Sequence, residues 1–209
     1  NYDAATWLPR EEQRKVIAHY YAATTFMDAR VGEILASLER HGLARNTLVV
    51  LFGDQGYALG ERENHYGKGT LTENSYAVPL IVAGPGIRQA GKMCRKIVEL
   101  IDLYPTLADW CGLGTPRSGL QGRSLRPLLE NVNAAWEERA VGAFGKKDYT
   151  RPGLTVRTGR YRYSEDEEQR PVNLFDYKTD PYEWSNRVND PALAKVQAQL
   201  ASYLRQERN

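Results

Sequence analysis

Apolar residues recur every three or four positions between residues 10 and 41: Val16, Tyr20, Ala23, Met27, Val31, Ile34 and Leu38. That spacing lays one apolar stripe along one face and predicts a long amphipathic helix. Glu11 and Glu12 near its start and Arg40 near its end suit the helix dipole. Gly42 is placed to terminate it. Thr47 to Phe52 is an unbroken β-branched and apolar run. A run without alternation predicts a strand buried on both faces, as in a parallel sheet. It stops at Gly53-Asp54-Gln55-Gly56. Residues 56 to 78 are polar and glycine-rich, and predict a long connection of the kind that carries function. Pro79 to Ala83 predicts a second buried strand and Ile97 to Leu100 a short one. Asp102 is placed to cap a helix with Pro105 in its first turn and Gly112 past its end.

The pattern changes near residue 115. Residues 115 to 132 read as an irregular connector with Pro116, Gly119, Gly122 and Pro127. Short strands are then predicted at 140–144, 154–157, 160–163 and 172–175, with a hairpin turn at Thr158-Gly159. Asp190 caps a last helix that has Pro191 at its first position and Leu193, Val196, Leu200 and Leu204 as its buried stripe. The expected fold is α/β. Residues 1–135 form part of a layered α/β core, and residues 136–209 form a small antiparallel sheet covered by the C-terminal helix.

Composition narrows the function. In 209 residues, 42% belong to the hydrophobic class and 10% are aromatic, which excludes a disordered chain. No stretch approaches the roughly 20 apolar residues that a membrane-spanning helix needs. The formal net charge is +2, from 28 basic and 26 acidic residues, and so near a balance argues against a nucleic-acid binder. Two cysteines, Cys94 and Cys111, make no disulfide framework. Three histidines and no Cys-x-x-Cys argue against structural zinc. The first residues, Asn1-Tyr2-Asp3, are loop-like and lack an initiator Met, which predicts a piece of something longer. Such a piece would present an apolar edge and tend to pair with further copies of itself.

Candidate chemistry begins at Asp54-Gln55, at the carboxyl end of a predicted strand, where open α/β sheets bind ligands. A carboxylate and an amide carbonyl are hard oxygens, suited to Ca²⁺ or Mg²⁺. An ordinary turn is the competing reading, and two donors do not complete a calcium site. His65-Tyr66-Gly67-Lys68 follows in the connection. Lys68 could meet an anionic oxygen as a compact positive charge, or be a solvated surface lysine. His65 is a second catalytic candidate, or a hydrogen-bonded structural group.

Read together, FGDQGYALGERENHYGKGTLTENSYAVPLIVAGPG, from Phe52 to Gly86, resembles the second half of the sulfatase family, within the alkaline-phosphatase-like superfamily. So do Tyr20-Tyr21-Ala22, Asp28 and Val31-Gly32, the segment Ile97 to Leu107, and the closing Asn173-Leu174-Phe175-Asp176 with Asp180-Pro181, Glu183 and Asn186. The resemblance implies that Asp54 and Gln55 are ligands of a divalent metal, Ca²⁺, and that Lys68 contacts the sulfate group of a sulfate-ester substrate. It implies no firm role for His65. Thr72 departs from the family's usual aromatic before Glu73.

The family's nucleophile is a formylglycine made from Cys or Ser inside C/S-x-P-x-R. Neither Cys94, followed by Arg95-Lys96, nor Cys111, followed by Gly112-Leu113, has that context. The paired aspartates of the family's first strand are also absent. The resemblance therefore implies the C-terminal part of a sulfuric-ester hydrolase, inactive by itself, whose partner is the missing N-terminal part of the same protein. A phosphonate or phosphate ester hydrolase of the same superfamily, or a non-catalytic truncated fragment, are the alternatives.

Overall fold

A computed structural model describes residues 8–62, 65–114, 119–145 and 152–208. They group into two compact units: residues 1–68 with 77–86, and residues 69–76 with 87–209.

The first unit opens with helix α1, Arg10–Arg40, with Glu11 and Glu12 in its first turn and Arg40 in its last. Gly42 follows at φ +68°, the left-handed conformation that ends helices at least cost. The predicted buried stripe is not buried. Val16, Val31 and Leu38 are half-covered, whereas Tyr20, Ala23, Met27 and Ile34 are exposed, Ile34 at 63%. Strand β1, Val49–Phe52, pairs with β4, Leu80–Ala83. The pairing is antiparallel, Val49 against Ala83 and Phe52 against Leu80, and both strands are half-exposed. This corrects the parallel, doubly buried strand expected from the apolar run: among the described residues β1 pairs with β4 alone, and none of its residues is fully buried. Between them lies a short antiparallel hairpin that periodicity did not reveal, β2 (Ala58–Leu59) against β3 (Tyr66–Gly67).

Exposed apolar surface on α1 and on Phe52 and Ile81 has a direct consequence. Expressed by itself, the 209-residue chain is expected to self-associate, seen as a scattering mass that rises with concentration. A monodisperse, cooperatively melting monomer would contradict this.

The second unit holds the turn-like helix α2 (Glu73–Tyr76), helix α3 (Leu103–Trp110), the short helix α4 (Arg126–Glu130), and strands β5 (Arg139–Phe144), β6 (Gly153–Thr158), β7 (Tyr161–Glu165) and β8 (Pro171–Asp176). The four strands form one antiparallel sheet in chain order. Helix α5, Ala194–Glu207, follows a 3₁₀ turn whose Asp190 carboxylate accepts from the Ala192 N–H, with Pro191 next to it as expected.

Alternation along the strands gives the sheet two covered faces. Val156, Tyr163 and Leu174 lie side by side in register and pack on Leu200, Ala201 and Leu204 of α5. The opposite face carries Thr155, Arg162 and Ser164, all buried. The predicted strand at Ile97–Leu100 does not form. The Glu99 N–H donates to the Asp102 carboxylate at 3.0 Å and the Asp102 N–H to the Glu99 carboxylate, which also accepts from the Val141 N–H at 2.8 Å. This reciprocal cap starts a 3₁₀ turn at Leu100–Asp102 that leads into α3. The Asp102 carboxylate is thus spent on Glu99 and Arg123 rather than on the N–H groups of α3.

Candidate active site

Asp54 and Gln55 stand immediately past β1, on the turn between Gly53 and Gly56, and both are exposed. The Gly53 N–H donates to the Pro79 carbonyl at 3.1 Å, carrying the ladder one residue beyond Phe52. The backbone is therefore held up to the residue before Asp54. Among the described residues, no hydrogen bond or ion pair engages the Asp54 carboxylate or the Gln55 amide. Their oxygens point to no internal use, and as hard donors they suit a Ca²⁺-type ion. No group of three or more His, Cys, Asp or Glu able to hold a metal occurs among the described residues. Asp54 and Gln55 fit part of such a site, and the rest of its ligands would have to come from elsewhere.

The hairpin decides where Lys68 falls. Ala58 pairs with Gly67 and Leu59 with Tyr66. Continued by one residue, this register sets Lys68 across from Tyr57, at the open end of the hairpin and two residues from Gln55. That end of the hairpin follows the Asp54 turn along the chain, and Lys68 is exposed there. At the closed end, the Gly60 N–H donates to the His65 carbonyl at 2.9 Å and the His65 N–H to the Arg62 carbonyl at 2.7 Å. Gly60 has φ +92°, and a Cβ there would lie 2.5 Å from the Tyr66 hydroxyl, so only glycine makes this turn. His65 is half-buried at the opposite end from Lys68, about 10 Å away by the rise of an extended chain. The register puts Lys68, not His65, at the hairpin end that adjoins the Asp54 turn along the chain.

A second polar constellation lies within the other unit, and spacing did not single it out. Arg157 and Arg162 are paired across β6 and β7 on the same face, a like-charge juxtaposition that needs neutralising. Glu73 and Glu183 supply two carboxylates. The Arg162 guanidinium, 2% exposed, pairs with Glu73 and lies 2.8 Å from Glu183 Oε1. Arg157 Nε is 3.5 Å from Glu73 Oε2, and its guanidinium stacks 3.5 Å from the centre of the Tyr177 ring. The Tyr177 hydroxyl donates to Glu73 or Glu183, both within reach. Burial alone would push the Glu73 carboxyl up. The charges of Arg162 and Arg157 and the hydrogen bonds from Arg162 and Tyr177 together outweigh it and hold Glu73 below its ordinary value. Glu183 reaches this cluster from a backbone at φ +57°, a conformation non-glycine residues seldom adopt. The sequence signals for the cluster were Glu73 in the stretch from Phe52 to Gly86 and Glu183 in the closing phrase, with nothing to link them.

Comparison with known proteins covers both regions. Residues 3–113 match the sulfatase family, and residues 60–209 match the family described as N-sulphoglucosamine sulphohydrolase, C-terminal. A sulfatase of Formosa agariphila is 31% identical over 179 residues, covering 86% of this chain and 34% of the relative. Among solved structures, a 2-O GAG sulfatase superposes with a TM-score of 0.86 at 30% identity, covering 98% of this chain and 45% of its own. The phosphonate monoester hydrolase of Agrobacterium radiobacter gives a TM-score of 0.86 at 27% identity, covering 99% of this chain and 43% of its own. The chain spans between a third and a half of these proteins. With one family description reaching from residue 3 to 113 and the other from 60 to 209, the chain belongs to the sulfatase family and corresponds to its C-terminal part.

Proposed function

We propose that this chain is the C-terminal portion of a sulfuric-ester hydrolase, that Asp54 and Gln55 contribute two oxygen ligands to its Ca²⁺, and that Lys68 contacts the sulfuryl group. The observation that carries this reading is the hairpin register. It sets an exposed lysine at the hairpin end next along the chain to an exposed carboxylate and amide whose side chains have no partners among the described residues. The N-terminal portion, present in relatives and outside this chain, supplies the remaining ligands and the formylglycine nucleophile. It also covers the apolar stripe of α1, whose exposure is otherwise unexplained.

When bound, the metal would supply a fixed positive charge that polarises the ester and stabilises oxygens gaining charge. The chain's own part is narrower. Asp54 brings one formal negative charge to hold the ion, and Gln55 a neutral carbonyl that ligates without adding repulsion. Lys68 sets a point charge where a sulfuryl oxygen becomes more negative as the ester is attacked. On this reading His65 closes the turn that presents Lys68.

Lys68 provides the test. An interaction stronger in the transition state than in the ground state is lost from kcat when removed. In the complete protein, Lys68→Ala is expected to lower kcat on an aryl sulfate by on the order of 10²–10³. Ca²⁺ affinity should be unchanged, because lysine is no ligand. Lys68→Arg should rescue only in part, since a planar fork does not occupy the place of an ammonium. Unchanged kcat in Lys68→Ala would make the residue a solvated surface charge.

A second reading, hydrolysis of phosphonate or phosphate esters, is supported by the likeness to the Agrobacterium enzyme. The metal ligands and Lys68 serve either anion. Relative kcat/KM on 4-nitrophenyl sulfate and on a 4-nitrophenyl phosphonate ester decides between them.

A further inference from the structure

We propose that Glu73 and Ser164 are positioning residues for Lys68: the C-terminal sheet clamps residues 69–76, and so fixes the peptide from which Lys68 is presented. This rests on the reading of Lys68 given above.

Lys68 is bracketed along the chain. Immediately before it, Gly67 is held in the β2–β3 ladder. Immediately after it, the chain enters a segment tied to the second unit at Gly69, Leu71, Glu73 and Tyr76 and braced within itself by hydroxyl hydrogen bonds. Gly69 has φ +93°, and a Cβ there would stand 2.7 Å from the Phe144 ring, so its backbone lies flat against that side chain. The Thr70 hydroxyl lies 2.7 Å from that of Thr72 and 2.8 Å from that of Ser75, while the Thr70 N–H donates to Ser75 Oγ at 3.2 Å. Thr72, where the family commonly has an aromatic, is buried and completes this hydroxyl cluster. The Leu71 carbonyl accepts from Ser164 Oγ at 3.1 Å. The Glu73 N–H donates to Glu183 Oε2 at 3.1 Å, and its carboxylate lies between Arg157 and Arg162. The Tyr76 ring covers Gly142, where a Cβ would fall 2.1 Å from the ring.

This arrangement is more than the sheet needs for its own closure. Two facing arginines could have been neutralised by any carboxylate. The one used comes from the segment directly downstream of Lys68, and its backbone N–H is captured as well. A lysine has four rotatable carbons and gains little as a point charge unless its Cα is fixed. A displacement of about 1 Å at a reacting group can cost on the order of 10² in rate. A loop this well tied therefore has a functional consequence even though none of its clamping residues touches substrate.

The test is a set of double-mutant cycles in the complete protein. Glu73→Gln keeps the shape and removes the charge, and Ser164→Ala removes one hydroxyl. Each is made alone and together with Lys68→Ala. Measurements are kcat on 4-nitrophenyl sulfate, Ca²⁺ affinity by calorimetry, and the melting temperature. With Lys68 present, each clamp variant is expected to lower kcat by about 10- to 100-fold. On top of Lys68→Ala, the same change should cost about twofold or less, because a positioning effect that acts through Lys68 disappears with it. Ca²⁺ affinity should be unchanged in all variants. Should Glu73→Gln not fold, Ser164→Ala carries the same cycle. The proposal is overturned if the clamp variants leave kcat unchanged, or if their loss is equally large without the lysine. The reading of Lys68 itself fails in a different way, by a Lys68→Ala single variant with wild-type kcat, and the proposal falls with it.

Discussion

Asp54→Ala in the complete protein is expected to abolish Ca²⁺ binding at the site and, with it, aryl sulfate hydrolysis. The variant removes the one formal charge this chain brings to the ion. The ligands contributed by the N-terminal portion are then left to repel one another. Loss of the metal's charge stabilisation is worth several kcal/mol, or roughly 10³-fold in rate or more. Stability should separate cleanly from function. The Asp54 carboxylate is exposed and engages nothing among the described residues, so its removal takes no contact from the fold. The metal-free variant should melt with the metal-free wild type. Added Ca²⁺ should raise the melting temperature of the wild type alone, because ligand stabilisation requires binding. Gln55→Asn should do less, since it keeps the carbonyl and shortens only its reach. An Asp54→Ala protein that binds Ca²⁺ and turns over like wild type would remove Asp54 from the metal site.

Glu183→Ala should be the most destabilising single change in the C-terminal sheet. It strips Arg162, 2% exposed, of its 2.8 Å partner and leaves Glu73 to balance two arginines. It also removes the acceptor of the Glu73 N–H. Breaking a buried pair by deleting one partner typically costs about 3–5 kcal/mol, a large part of the stability of an ordinary domain. Alanine gains nothing back, because the φ of +57° stays unfavourable for any residue with a Cβ. Denaturant unfolding of wild type and variant measures the difference, and a loss below about 1 kcal/mol would contradict the arrangement. The same cluster gives the pH dependence. Glu73 is held below its ordinary value, so its contribution is complete above the usual carboxylate range and is lost as pH falls through the depressed pKa. Acid unfolding should therefore set in below that range, and Glu73→Gln should flatten it.

Much of this fold is written locally. The four C-terminal strands lie within a residue or two of where alternation and the Thr158-Gly159 turn put them. Asp190-Pro191 and the Leu200–Leu204 stripe mark the last helix, because capping and a 3.6-residue period are properties of one short segment. The family, and with it Asp54, Gln55 and Lys68 as candidates, was legible as motifs in order along the chain. Three things were not. The Ile97–Leu100 run reads as a strand by residue type. Whether it becomes one depends on a partner, and the carboxylates of Glu99 and Asp102 build a turn instead. The run from Thr47 to Phe52 specifies an extended chain but not its neighbour, and the partner is β4, antiparallel. Arg162 looks like a polar strand residue on an outward face. It is buried because Glu73, 89 residues away, meets it from the loop after Lys68. A buried charge is tolerated only with its counter-charge in place, and no window of sequence contains both. The sequence by itself determined the family and most of the elements; which residues meet across that distance was settled by tertiary structure.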